Sequence, residues 1–581
     1  MTARTLADLP PDPAWRDPIL IIGAGPVGMT AALGLAHYGI PALILDEDEG
    51  PCVEGSRAIF MERHALEILG AWSPVGRQMA EQGMTLLAGR VFFRSTELYK
   101  TFSAPPDPNI RYPRFVNFPQ NTLERLQYEA LCATPLVSVR WRHKVTGVSQ
   151  DDAGVTVEAQ TTDGPVSFLA PYALACDGPH SATRHLLKLP FPGESRERHF
   201  LILDVRMQLE TPRERWFWFD PPFNPGRTAL LHPQPDSIYR MDYQLAADDD
   251  FAAVQAPEAI HQRIVATVGE RPYEVVWKSV YTYQQRMLER FKHGRVFFLG
   301  DAAHLMSPFG GRGLNSGVQD VWNLVWKLAL VRAGAAPDAL LETYDAERQP
   351  AAQENLRLTA DTMRFLVPTP GPARWRRDAI LRLSLPLPAM RKRVNAGHMS
   401  NPYTYRHSPI IVDDAPQAGR GGQRGPVRGP ARGPAVGSLA PELVVADADG
   451  APVSLLDLFG ESFVVFAFSD DADAGGAALA SVIPDLPARL PVSLYVVAPR
   501  PATSPAPEGV GYLLDGAGAL AAAYGASDGT LYIIRPDRHI AARRLRGDPA
   551  GLAELPALLR RTAGLELAQT PQAAQARSAR S

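Results

Sequence analysis

The sequence predicts an α/β protein: one domain built on a parallel βαβ core and interrupted by a β-rich lobe, followed by a second, smaller α/β domain. Three observations predict it. Gly23-Ala24-Gly25-Pro26-Val27-Gly28 follows an apolar strand and opens a helix. Gly300-Asp301-Ala302-Ala303-His304 ends another apolar strand far downstream, again before a helix. A Gly-, Arg- and Pro-rich stretch then sets off a C-terminal α/β pattern.

At 581 residues the chain is too long for one core, and two to four domains are expected. A hydrophobic fraction of 45% and a charged fraction of 21% are those of ordinary globular protein. A net charge of −3 argues against a nucleic-acid partner. Cys52, Cys132 and Cys176 have no metal-like spacing, so no metal site is expected and a reducing compartment is. Met1 to Trp15 lacks the basic and apolar regions of a secretory signal. No apolar run nears the ~20 residues that span a bilayer. The expectation is a cytoplasmic protein with no membrane contact.

Ile19 to Ile22 reads as a strand, Met29 to Tyr38 as a helix ended by Gly39, and Ala42 to Leu45 as a second strand ending at Asp46. This is a Rossmann-like βαβ unit. Arg63 to Leu69 and Thr122 to Leu131 read as helices. Alternation over Val137 to Val148 and Val155 to Gln160 predicts antiparallel strands, and Tyr172 to Ala175 is a short strand running into Cys176-Asp177-Gly178. From Phe200 to Val280 alternating, aromatic-rich strands predict the inserted lobe. Val296 to Leu299 returns to the first domain, Pro308 to Gly317 reads as a glycine-rich loop, and Val318 to Ala333 as a helix. The composition of Gln417 to Val436 is that of a linker. Beyond it come strands at Phe463 to Phe468 and Val492 to Val497, a short helix at Ala519 to Tyr524, a hairpin across Pro536-Asp537-Arg538 and a last helix at Leu552 to Arg561.

The first turn is a dinucleotide fingerprint. Gly23 makes the tight turn, Gly25 admits the pyrophosphate, and Gly28 lets the helix approach the strand; Pro26 and Val27 lie within it. Asp46 is placed to bind ribose hydroxyls, with Glu47 beside it. The fingerprint does not separate NAD from FAD, but the second turn does. Asp301 at a strand end suits a ribityl chain, and a helix start beyond Pro308 suits a flavin edge that becomes negative on reduction.

These motifs resemble those of the single-component FAD-dependent aromatic hydroxylases, in their phenol and 3-(3-hydroxyphenyl)propionate hydroxylase branch. Three occur in order: Gly23 to Gly28; Asp177-Gly178 with Ser181 and Arg184; and Gly300 to His304 with Pro308, Gly311, Gly313, Leu314, Asn315 and Asp320. Arg57 and Pro119-Gln120 stand where that family contacts FAD. The resemblance covers roughly the first 400 residues. It implies FAD as resident cofactor, NADPH or NADH as transient reductant, and hydroxylation of a small aromatic substrate by O2 through a flavin C4a-hydroperoxide. The alternative from the same fold is a flavin oxidoreductase that transfers no oxygen. In the family the motif matching Asp177-Gly178 is associated with both FAD and the pyridine nucleotide. The chain departs from the pattern at Ala175-Cys176 and at Arg312, which adds a cation near the flavin edge.

The C-terminal segment resembles a thioredoxin-like fold. The position of its C-x-x-C motif reads Ser469 to Ala474, and no cysteine follows Cys176, so a dithiol role is chemically excluded. A homodimer contact or stabilisation is its expected role. The domains are then 17–195 and 289–400 for FAD, 196–288 for the substrate lobe, 401–436 for the linker, 437–565 for the thioredoxin-like domain and 566–581 for a disordered tail. Candidate catalytic residues are Arg57, beside the flavin, and His232, Tyr239 and Tyr283, on lobe strands where a phenolic oxygen can be hydrogen-bonded. Alternation puts Tyr239, Met241 and Tyr243 on one face and Arg240 and Asp242 on the other. His304 is read as packing, Cys176 as a core residue, and Trp216 to Phe219 as sheet core.

Overall fold

A computed structural model describes residues 5–567 except 14, 16–17, 53–54, 56–57, 211–212, 308, 369–370, 395–401, 414–432 and 545–549, and without the side chains of 195–198, 283, 392 and 550–551. Arg57, Pro308, most of the expected linker and nearly all of the expected tail lie outside the described residues, as does the side chain of Tyr283.

The βαβ unit forms as its pattern requires. Ile19–Ile22, Ala42–Leu45, Ala173–Ala175 and Val296–Phe298 are almost wholly apolar because helices cover both faces of the parallel sheet they build. The sheet has six strands in the order Lys292–His293, Val296–Phe298, Ala173–Ala175, Ile19–Ile22, Ala42–Leu45, Val137–Arg140. Val137–Arg140 was expected to be antiparallel; it pairs in parallel with Ala42–Leu45. Alternation reports a half-covered edge strand but not the direction of its partner. Lys144–Gln150, Val155–Thr161 and Gly164–Ala170 do form an antiparallel sheet.

The lobe is an eight-stranded sheet. Its order is His304–Leu305, Tyr273–Met287, Gly193–Met207, Ile238–Gln244, Thr228–Pro233, Glu214–Phe219, Ala88–Phe93, Thr96–Phe102. Its last two strands precede the 196–288 segment by a hundred residues, and Ala88–Phe93 runs parallel to Glu214–Phe219. One face, with Leu201, Leu203, Val205, Leu231, Tyr239, Met241 and Tyr243, packs on Ile260, Ile264 and Val268 of the Pro257–Val268 helix. The opposite face turns toward the parallel domain.

The helix after the second turn starts earlier than its sequence suggests. It runs from Arg312 to Arg332, capped by Gly311 in the left-handed region at φ 61°. Glycines weaken a helix pattern, so Gly313 and Gly317 hide its first turns. The next helix, Thr343–Leu366, lies against it. The C-terminal domain is a seven-stranded sheet whose central strands Phe463–Phe468, Val492–Ala498 and Val510–Leu514 are parallel and whose edge carries the Leu531–Ile534 and Ile540–Arg544 hairpin.

Candidate active site

The two glycine turns meet. A Cβ on Gly317 would lie 2.7 Å from Val27 and 3.1 Å from the Gly300 Cα, so the second helix rests directly on the first turn. Gly23, at φ 103°, faces the Cys176 carbonyl oxygen, 2.5 Å from where a Cβ would stand. Gly28 would place a Cβ 2.0 Å from the Gly23 oxygen, which is the close helix–strand approach its motif position requires. By contrast, nothing lies within 4 Å of a Cβ on Gly25 or Gly178, and on Gly313 only the Asp301 carboxylate, at 4.0 Å. These three glycines line open space at the mouths of the three motifs. Two helix starts, at Pro26 and Arg312, are capped by glycine without a side chain, leaving amide N–H groups and the positive helix end available to an anion.

The remaining motif residues brace this space. Asp46 Oδ2 accepts the Ala24 N–H at 2.6 Å and Oδ1 that of Asp48 at 2.8 Å. Asp177 Oδ2 accepts the Thr183 N–H at 2.9 Å, while Oδ1 is buried and without a partner among the described residues. Such an oxygen suits a ligand hydroxyl. Arg184 ties the middle motif to the last one, donating to the Ala302 carbonyl at 3.0 Å and the Pro179 carbonyl at 2.8 Å. Gln120 Oε1 accepts the Ala58 N–H at 3.1 Å, fixing the chain next to Arg57. Asn315 spends its amide on Glu62, Phe60 and Gly311, so it shapes the helix start. Two further residues have partners of their own. Glu47 is engaged at the surface by Lys144 at 2.8 Å. Arg312, expected beside the flavin edge, is buried and donates to Asn355 at 2.6 Å.

The lobe face opposite the Pro257–Val268 helix closes over these turns. Phe200 meets Phe309 edge to face at 5.1 Å, a Cβ on Gly55 would stand 2.6 Å from the Trp277 indole nitrogen, and Asn117 donates to the Pro233 carbonyl at 2.7 Å. Strand register gives this face a polar row: Asp204, Arg240, His232, with Arg215 on the next strand. Arg240 holds Asp204 in two bonds, of 2.8 and 2.7 Å, over the Trp277 ring. Asp242 lies one pair along, 3.6 Å from His232 Nε2, and each side chain keeps 17% of its surface open. Burial pushes the Asp242 carboxyl up to about 7, with Arg240 pulling it down and Asp204 pushing it further up. Burial, then Arg215 and Arg240, hold His232 well below its ordinary value, so the ring is neutral.

Tyr239, by contrast, faces the Pro257–Val268 helix, as does Tyr243, whose hydroxyl pairs with Thr267 at 2.7 Å. Alternation separates the two faces of a strand, but it does not say which one a helix covers. Phe217 and Phe219 line the flavin-side face, and Trp216 and Trp218 the other. His304 is fully buried and bonds Asp320 at 2.7 Å. Asp242 and Arg215 were missed as site residues; the only signal was the shared face of Arg240 and Asp242.

Fold and turns together define a dinucleotide-binding flavoprotein with an inserted β-rich lobe. The chain belongs to the FAD-binding-domain family, whose model matches residues 16–359, and the HcaD C-terminal-domain model matches 437–556. A 3-(3-hydroxy-phenyl)propionate/3-hydroxycinnamic acid hydroxylase of Mycobacterium sp. (strain KMS) is 29% identical over 93% of this chain and 91% of that protein. A second hydroxylase of the same description, from Burkholderia vietnamiensis (strain G4 / LMG 22486), is 28% identical over 94% of this chain and 96% of its own. Among solved structures, the flavin-dependent monooxygenase PieE with FAD and substrate superposes with a TM-score of 0.79 at 22% identity, covering 94% of this chain and 98% of that one. Aklavinone-11 hydroxylase with FAD and aklavinone does so with 0.72, also at 22% identity, over 94% and 98%. At that identity the likeness is one of fold.

Proposed function

We propose that the protein is an FAD-dependent monooxygenase that uses NADPH or NADH and O2 to hydroxylate a phenol or another electron-rich aromatic ring, and that His232 and Asp242 receive the substrate's hydroxyl. The observation that carries this reading is the His232–Asp242 pair on the lobe face that closes over the flavin turns. FAD, when bound and reduced, supplies the activated oxygen. The chain supplies the rest. Gly25, Gly178 and Gly313 leave room for the cofactor, and the helix starts at Pro26 and Arg312 complement its negative groups. A neutral His232 accepts the phenolic hydrogen bond, and Asp242, divided between acid and carboxylate near neutral pH, takes the proton through it. Ionising the phenol makes the ring electron-rich. The apolar walls of Phe200, Phe217 and Phe309 exclude water.

Arg215 extends the reading to the substrate's far end. Burial depresses its pKa, and it bonds no acid among the described residues. It sits two strands across and one pair along from Asp242, about 12 Å away between backbones before the side chains reach inward. A phenol bearing a carboxylate, as the names of the mycobacterial and Burkholderia relatives imply for their own substrates, spans that distance. For the reductant, a cleft of about 340 Å³ beside Asp177-Gly178 is lined by Arg184, Arg286, His180 and His185, a charge set that suits nucleotide phosphates. The three core parallel strands and closing hairpin support a thioredoxin-like reading of the C-terminal domain. A cytoplasmic homodimer completes the reading; exposed Trp375, Leu383, Leu385 and Leu387 offer an apolar patch for the subunit contact.

The test is turnover of candidate phenols with NAD(P)H under isotopically labelled O2. One labelled oxygen per hydroxylated product is expected. Substrate-stimulated NAD(P)H oxidation with no label in any product favours an oxidoreductase that transfers no oxygen.

A further inference from the structure

We propose that the C-terminal domain is a positioning part of the flavin site, acting through Tyr405 and Arg348 on the Asp320 carboxylate that sets the Gly300 turn. The chain of contacts is continuous and buried. Asp320 Oδ2 accepts the Gly300 N–H at 3.1 Å and bonds His304 Nε2 at 2.7 Å, so this one carboxylate holds both ends of the turn. Its Oδ1 accepts Arg348 Nε at 2.7 Å. Arg348 also donates to the Ser316 carbonyl at 3.2 Å, in the first turns of the long helix, and to the Tyr405 hydroxyl at 3.0 Å.

Tyr405 belongs to the C-terminal side. Its N–H bonds the Gly437 carbonyl at 2.9 Å, its ring lies 4.3 Å from that of His539, and the nearby Val412 bridges Ala542 of the C-terminal sheet. The Arg535 guanidinium covers the same tyrosine ring at 5.4 Å. Arg535 in turn grips Glu347 at 2.5 and 3.1 Å and Asp537 at 2.9 and 2.5 Å. Glu347 and Arg348 are successive residues of one helix, so their side chains diverge by about 100°. One reaches the C-terminal domain and the other the flavin turn.

Adhesion alone does not require this arrangement. Apolar contact such as Trp326 against Phe463 already joins the domains, and burying charges costs desolvation that an apolar contact avoids. What a buried, hydrogen-bonded charge network adds is a single fixed geometry. Here that geometry is the position of the Gly300 turn relative to the docked domain.

The test compares three variants of the full-length protein. Tyr405→Phe removes one hydroxyl from the chain of contacts. Arg111→Gln breaks a different interdomain pair, Arg111 with Asp457 at 2.6 Å, remote from Asp320. FAD affinity is read from cofactor fluorescence, the flavin environment from its visible spectrum, and folding from the apoprotein melting temperature. None of these depends on the substrate or on oxygen transfer. Tyr405→Phe is expected to weaken FAD binding roughly threefold to tenfold, the value of one typical hydrogen bond, and to shift the flavin bands. Arg348→Lys, which keeps the charge and loses the fork, is expected to do the same. Arg111→Gln is expected to bind FAD as the wild type does. Unchanged affinity and spectrum in Tyr405→Phe and Arg348→Lys overturn the proposal, and so does an equal loss in Arg111→Gln, which would reduce the network to general adhesion.

Discussion

A single methyl group is enough to close the first turn. A Cβ on Gly28 would stand 2.0 Å from the Gly23 oxygen, so Gly28→Ala must lift the helix off its strand, at about 1–3 kcal/mol of overpacking. We predict a folded protein that purifies without its yellow colour; full flavin absorbance would refute this. Asp242 gives a prediction in pH. Burial raises its carboxyl from 3.8 to about 7, so the proton-accepting form grows as pH rises through about 7. The wild-type kcat/KM should climb across that range. Asp242→Asn should lower it by about 10²-fold and flatten the climb; a rising limb that survives would move the acceptor elsewhere. Gly23, Gly25 and Gly28 are legible in the sequence because each meets a local backbone demand. Asp242 and Arg215 are not, because their value depends on which sheet face Phe309 and Trp277 close, and that is decided by residues far away in the chain.

At the scale of elements, the long helix Arg312–Arg332 joins the two turns. Gly317→Val would drive a branched side chain into Val27, 2.7 Å from its Cβ position, and into Gly300. We predict loss of FAD together with a fall in melting temperature, in contrast to a surface change such as Glu129→Gln, which should alter neither. Retained FAD in Gly317→Val would show that the turns tolerate separation. The existence of this helix was legible from Val318 onward, but its start was not. Gly311 and Gly313 read as loop by propensity, while tertiary contact makes the first the cap and the second part of the opening turn. The strands Ala88–Phe93 and Thr96–Phe102 were equally hidden as lobe members, since parallel pairing with Glu214–Phe219 leaves no local mark.

For the whole molecule, the interface between domains carries the acid sensitivity. Burial alone raises the Glu347 carboxyl, but Arg535 and Lys327 outweigh it and hold it at about 2; Glu67 is held at about 2 in the same way, against burial, by Arg538 and His64. A depressed carboxyl contributes stability that is complete above its ordinary 4.5 and is lost as pH falls toward about 2. We predict that melting temperature drops steeply across that window. Glu67→Gln with Glu347→Gln should blunt the drop, whereas Arg535→Met, which strands the buried Asp537 carboxylate, should cost about 3–5 kcal/mol at neutral pH. An acid profile unchanged in the double variant would place the sensitivity elsewhere. The sequence marks Pro536-Asp537-Arg538 as an ordinary hairpin turn and the Gly/Arg/Pro stretch as a loose tether. Neither signal reveals that Arg535 and Asp537 are fully buried against the first domain, because a turn motif reports backbone shape and not what the turn docks into.

The contact of Val27 with Gly300 and Gly317 also bears on biogenesis. The two halves of the cradle are synthesised some 270 residues apart, so a nascent polypeptide that has exposed only its amino-terminal half offers the vitamin-derived prosthetic group one wall of its cradle and not the other. Holoenzyme assembly therefore waits until translation has delivered the distal half, and cells short of riboflavin should accumulate a finished but empty protein instead of stalled fragments.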